Sequence, residues 1–319
     1  MIVTESLPLR RGTRTGGAAE DDHARRRATK LTRSRRRTGL LMTLPAIILV
    51  IWVVTIPLAQ GIYYSFTNWD GGSSTWVGAA NYLSVLSVPD LLTALRNSAI
   101  VLLSVPIGLI GPFVTAYLLS GGLPGGKLFR TIIFVPTALS WVVIGIVARN
   151  FLAPTGLLNT FLTALGLEPL TNNWLADPNF AIWAVVLAFN AAIFGGNTII
   201  LLAGFATLDR SMIEAAQVDG ASTMRMLVSI ILPNMLRFVE FVYITTVITS
   251  FTGLFGLIFT MTSGGPGYSS TTLEYAVWKN AFSTGNFGLS AALGIFLLVI
   301  VVATIGLSRL VSGRQEESL

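Results

Sequence analysis

Of 319 residues, 53% are hydrophobic and 11% charged, a composition too apolar for a water-soluble domain of this length. The formal net charge of +6 is local: residues 1–38 hold 11 Lys and Arg against 4 acids, or +7, leaving −1 for everything after them. There is no cysteine, and the single histidine, His23, lies in that basic stretch, which excludes disulfides, thiolate metal sites and a histidine-centred active site in the apolar part.

A bilayer core about 30 Å thick needs roughly 20 helical residues per crossing. Six charge-free windows reach or approach that length: 38–69, 97–126, 131–148, 178–208, 241–273 and 280–308. None alternates as a barrel strand does. The expected fold class is therefore all-α, a polytopic membrane protein with six transmembrane helices.

In chain order, segment 1–38, with RRRATKLTRSRRR at 25–37, has no apolar periodicity and runs directly into a span. It reads as a cytoplasmic anchor near anionic lipid rather than a nucleic-acid-binding arm. It does not read as a cleaved signal peptide, because the apolar run is too long and no small-residue cleavage pattern follows. Residues 39–92 are expected to hold the first span (about 40–63) and an outside loop. Tyr63, Tyr64, Phe66 and Trp69 would form an interfacial belt, and a short amphipathic helix is expected near Asp90 to Arg96.

The core, 93–308, is expected to carry spans at about 97–119, 131–152, 180–204, 239–261 and 289–308. Pro106 and Pro112 predict a kinked second span. The following loop, GGLPGGKL at 121–128, nearly spells a phosphate-binding loop, yet Leu128 stands where a Mg²⁺-binding hydroxyl is needed and no βαβ unit surrounds it. ATP binding by this chain is rejected, and no cofactor or metal is expected in it. Segment 154–179 has no Lys or Arg and reads as an outside loop.

The polar island 208–237, LDRSMIEAAQVDGASTMRMLVSIILPNMLR, carries Asp209, Arg210, Glu214, Asp219, Arg225 and Arg237 between two apolar stretches. Its periodicity predicts two short helices. Asp209 is the expected N-cap, with Leu208 stapling to Ile213. Gly220 is the expected left-handed turn, and Pro233 the stop or kink of the second helix. Beyond the fifth span, 262–287 opens with the turn composition SGGPG and reads as outside. Tail 309–319 carries Arg309 and Arg314.

With the N-terminus inside, inner segments hold 11, 2, 3 and 2 Lys and Arg, or 18, while Arg96, Arg149 and Lys279 fall outside. That asymmetry satisfies the positive-inside rule, and places both ends and the island in the cytoplasm. No ionisable pair lies at a span midplane, so neither an enzyme nor a proton-coupled carrier is favoured. Asn190 and Asn197, seven apart with Gly196 beside the second, share one helix face, and Thr246, Thr249, Ser250 and Gly253 define another. Both stripes read equally as helix-packing contacts or as the lining of a path for a hydroxyl-rich solute.

Glu214-Ala215-Ala216, Gly220 and then, after nine residues, Ile230-x-Leu232-Pro233 resemble the EAA loop of ABC-importer permeases. The form EAAQVDGA is similar to the carbohydrate-uptake, maltose-type branch. Residues 44–71, FRTIIFVP at 129–136 and SGGPG at 263–267 resemble the same branch, the last its first-permease type. The resemblance implies the type I ABC importer permease fold, in a multi-pass protein of the bacterial cell membrane. It implies a subunit of an ATP-driven, binding-protein-dependent importer of a sugar or oligosaccharide, without catalysis of its own. Implied partners are a second, different permease subunit, two ABC ATPase subunits that bind the ATP, an extracytoplasmic solute-binding protein and the lipid bilayer.

Glu214, Ala215, Ala216, Asp219, Gly220, Arg225, Leu232 and Pro233 would then couple to the ATPase. Asn190, Gly196, Asn197, Thr249, Phe251 and Leu254 would line the solute path. The chain departs from the family at spacing-matched path positions Phe189, Ala192, Ile193 and Val247, which are apolar or small. It also departs at Gly256, where an Asp is usual, and at Asp209, where a Pro is common. Alternatives are a permease for glycerol phosphate or a polyol, or a stand-alone secondary carrier.

Overall fold

A computed structural model describes residues 42–316, so the expectations for segment 1–38 and for 317–319 lie outside the described residues. The chain divides into two compact units, residues up to Gln60 and residues from Gly61 onward. Helix α1 (Met42–Ser65) begins in the first and ends in the second. Its described residues before Gly61 are exposed on every side, and a π turn at Ile51–Thr55 precedes Pro57.

The second unit continues with α2 (Ala80–Ser87), α3 (Pro89–Ser120), α4 (Gly126–Phe134), α5 (Trp141–Phe151) and α6 (Leu157–Ala164). Then come α7 (Ala181–Phe205), α8 (Arg210–Val218), α9 (Thr223–Thr252), α10 (Leu254–Met261), α11 (Leu273–Trp278) and α12 (Phe287–Glu316). Among the described residues, strand pairing is confined to one bridge, Thr67 with Trp76. Five helices, α1, α3, α7, α9 and α12, are long and apolar enough to cross a bilayer. The pair of α4, with its 3₁₀ turn Val135–Ala138, and α5 brings the number to six when counted as one crossing.

Three expectations change. The short helix near Asp90 to Arg96 is not separate: α3 starts at Pro89, where a first-turn proline loses no hydrogen bond, and runs unbroken to Ser120. The third span is not straight. Its halves meet at 102°, because Leu139 is extended (ψ 152°) and the Ser140 hydroxyl accepts the Val143 N–H at 3.4 Å, starting a new helix. Pro233 neither stops nor ends its helix. A π turn at Leu227–Ile231 widens the backbone just where the proline ring would strike the preceding turn, and α9 continues to Thr252.

α7 forms the spine, packed along α3 on one side and α9 on another. Phe189, Val247, Phe251, Leu254, Leu257 and Ile258 make one buried core, and Leu201, Ile231, Met235 and Val242 a second. Two glycines permit close approaches between these helices and the halves of the bent span. A Cβ on Gly195 would collide with the Ile133 carbonyl of α4, and one on Gly145 with the Thr260 hydroxyl of α10. The segment after α10 is tied to α3. The Asn97 carboxamide donates toward the carbonyls of Tyr268, Ser269 and Thr271 at 3.1, 3.0 and 2.9 Å, and Ser98 Oγ accepts from Leu273 N–H at 2.8 Å.

Candidate coupling bracket and mid-bundle site

The island folds as a small bracket. Asp209 Oδ1 accepts the Ser211 N–H at 2.9 Å, which starts α8 and holds the carboxyl below its ordinary value. The helix closes when Ala221 N–H reaches the Ala216 carbonyl (3.0 Å) and Gly220 N–H the Gln217 carbonyl (3.1 Å). That pairing is a Schellman ending, and it needs the left-handed backbone of Gly220, whose φ is 75°. Ser222 then caps α9 through the Arg225 N–H at 3.4 Å.

One face of the bracket is apolar. Ala216 is buried, and Leu208 and Ile213 pack on the cluster of Phe205, Met226, Ile231 and Met235. The Asn234 amide joins the two arms through Met212 Sδ at 3.6 Å. Glu214, Ala215, Asp219, Gly220 and Arg225 lie on the exposed side, while Leu232 and Pro233 are half-buried at the foot of α9. The bracket thus gathers all eight residues expected to couple, with its charges turned away from the bundle.

Halfway along the bundle two helix breaks meet. The 3₁₀ turn after α4 rests against α7: Thr137 Oγ1 donates to the Ala192 carbonyl at 2.9 Å and accepts the Gly196 N–H at 3.0 Å. Beyond the bend, Trp141 stacks on Phe189 at 5.8 Å, and its indole nitrogen sits 3.0 Å from where a Cβ on Gly253 would lie. Gly253 is the break between α9 and α10. Of the expected path residues, Asn197 is 7% exposed and donates to Thr246 Oγ1 at 3.2 Å, joining α7 to α9. Asn190 donates to Ser104 Oγ of α3 at 3.2 Å, with its oxygen pressed against Gly108. Thr249 bonds back to the Thr245 carbonyl at 2.8 Å, and Phe251 and Leu254 lie in the core.

Three residues escaped the sequence reading: Thr137, Trp141 and Glu274. The Glu274 carboxylate, half-buried, accepts the Leu254 N–H at 3.0 Å at the start of α10. Ser140 before Trp141 was the available N-cap signal. Nothing local marks Glu274, because its partner is 20 residues away.

Residues 91–317 match the model of the binding-protein-dependent transport system inner membrane component. The chain belongs to that family. This inner membrane component is a multi-pass permease subunit of a binding-protein-dependent transport system. It is 32% identical over 270 residues to a probable ABC transporter permease of Pyrococcus horikoshii, covering 83% of this chain and 92% of that one. It is 30% identical to the diacetylchitobiose uptake system permease of Streptomyces coelicolor (94% and 90% covered). To the sn-glycerol-3-phosphate transport system permease of Agrobacterium fabrum it is 31% identical (82% and 90% covered). The fold matches a chain in the crystal structure of a bacterial alginate ABC transporter in complex with an alginate pentasaccharide-bound periplasmic protein. The TM-score is 0.76 at 20% identity, over 89% of this chain and 98% of that one.

Proposed function

We propose that this permease imports a sugar or oligosaccharide, and that the bracket transmits the work of an ATPase to the spans. The observation that carries the coupling role is the Schellman-closed α8, seated by Ile213 on the first turns of α9, with Glu214, Asp219 and Arg225 exposed around it. A short helix with a small-residue surface and a charged rim can enter a cleft of a nucleotide-binding subunit. α9 then runs unbroken from that contact to Gly253.

In this reading the island and both chain ends face the cytoplasm, as the excess of 18 Lys and Arg against 3 supports. A second permease subunit pairs with this one. Two ATPase subunits bind the ATP below, and an extracytoplasmic binding protein delivers solute above. The chain itself catalyses nothing. Asn190, Gly196, Asn197, Thr249, Phe251 and Leu254 lie at or near the path, which the two helix breaks allow to change shape.

Gly220→Pro removes both the left-handed turn and the N–H donated to Gln217, and Glu214→Lys inverts the exposed charge. Each should abolish solute uptake and co-purification of the ATPase while membrane insertion persists. Uptake at the wild-type rate in both variants would end the coupling role. A stand-alone carrier is separated by the same assay, since it would transport from the purified chain without ATP.

A further inference from the structure

Six aromatic rings run in unbroken succession from the loop after α1 to the α9–α10 break. Trp69 lies 5.2 Å from Phe287, Phe287 6.4 Å from Phe282, and Phe282 6.5 Å from Trp278. Trp278 lies 5.4 Å from Phe255, and Phe255 5.6 Å from Phe259. They come from α10, α11 with its π turn Lys279–Ser283, the start of α12 and the loop after α1. Phe282 is 74% exposed and Phe259 45%, and the other four are half-buried, so ring faces and edges remain open along the series. Beside Phe255, the fifth ring, the Glu274 carboxyl accepts the Leu254 N–H.

We propose that this series is the track along which a neutral oligosaccharide passes into the permease. The inference rests on the sugar-importer reading above and extends it to named contacts. Two observations favour a sugar over lipid. The series is not a belt of anchors around the ends of the spans: it leads from the loop after α1 into α10, where Phe255 lies two residues from Gly253. A carboxylate facing hydrocarbon would be strongly disfavoured, whereas beside a hydrated path it is stable. Pyranose rings present flat C–H faces that stack on aromatics and hydroxyls that donate to a carboxylate, so rings and Glu274 together match both surfaces of a sugar.

The test uses the full chain in its importer strain, with maltotriose, cellotriose, N,N′-diacetylchitobiose and sn-glycerol 3-phosphate as probes. Because the chain has no cysteine, Phe282→Cys and Phe259→Cys each give a unique thiol. Both should react with a membrane-impermeant maleimide from the outer side, more slowly in the presence of the transported sugar. Trp278→Leu and Phe282→Leu keep apolar bulk but remove the ring, and each should lower uptake of that sugar about tenfold at unchanged membrane abundance. Phe161→Leu, an exposed ring away from the series, should have no effect.

Unreactive thiols, or wild-type uptake in both leucine variants, would overturn the track. Should Trp278→Leu be lost from the membrane, Phe282→Leu and the labelling decide. If deletion of the chain stops only glycerol phosphate uptake, the permease reading stands and the sugar track falls. If deletion changes uptake of no probe, the sugar-importer reading falls with it.

Discussion

Gly220 shows how one backbone angle can set the close of a helix. No atom lies within 4 Å of the place where its Cβ would be, so a side chain there meets only the strain of φ 75°. Gly220→Ala should therefore destabilise the bracket by roughly 1 kcal/mol. Gly220→Asn, which tolerates the left-handed region, should behave like wild type. Amide exchange across α8 measures both. Asp209 adds a pH dependence whose sign follows from its lowered pKa. The cap is fully present above the ordinary value of 3.8 and is lost as pH falls through the folded-state value. The protection factors of the Ser211 to Glu214 amides, corrected for the intrinsic pH dependence of exchange, should thus be flat from pH 5 to pH 8 and fall only in acid, whereas Asp209→Ala should lower them at neutral pH. The cap and the turn were legible because each is written in neighbouring residues. Glu274 and Thr137 were not, because each acts on backbone 20 and 55 residues away.

Among elements, the glycines separate into two groups by what surrounds them. Gly195 makes room for the Ile133 carbonyl and Gly145 for the Thr260 hydroxyl, so alanine at either forces α4 from α7, or α5 from α10. Each should lower the thermal midpoint of the purified chain, at a cost of roughly 1–3 kcal/mol. Gly294, with nothing within 4 Å in α12, should tolerate alanine and gain slightly in helix propensity. Asn97→Leu removes the donor that serves the Tyr268, Ser269 and Thr271 carbonyls at the turn after α10, of which Tyr268 keeps the Thr271 N–H, and should loosen that loop to proteolysis before the helices unfold. The existence of these helices was plain from charge-free runs. The break at Leu139–Ser140 and the persistence of α9 through Pro233 were not. Apolar composition is the same on both sides of a bend, and a proline alone does not tell whether a π turn will absorb it.

For the molecule as a whole, composition fixed the class and a charge count suggested the orientation, because insertion into a bilayer responds to bulk properties that a single sequence carries. In the proposed orientation, a lone cysteine replacing Asp219 should be labelled only after the membrane is permeabilised, and one replacing Ser73 in intact cells. The reverse pattern would invert the topology. In the proposed reading the solute is chosen by side chains that converge from α7, α9, α10 and α11, and by partner chains, so pattern along one chain carried little of it. Sequence similarity reaches both a diacetylchitobiose and a glycerol phosphate permease at nearly equal identity, 30% and 31%, so overall identity does not separate the two solutes.

The length of α9 has a mechanical consequence. Thr223–Thr252 is 30 residues, so it forms a rod of about 45 Å. Pivoted near one end, a tilt of about 5° sweeps the other by about 4 Å, less than one helical pitch. A modest nudge where Glu214 protrudes would therefore arrive at Gly253 as a displacement wide enough to part or seal a gap between side chains, with no unfolding anywhere between.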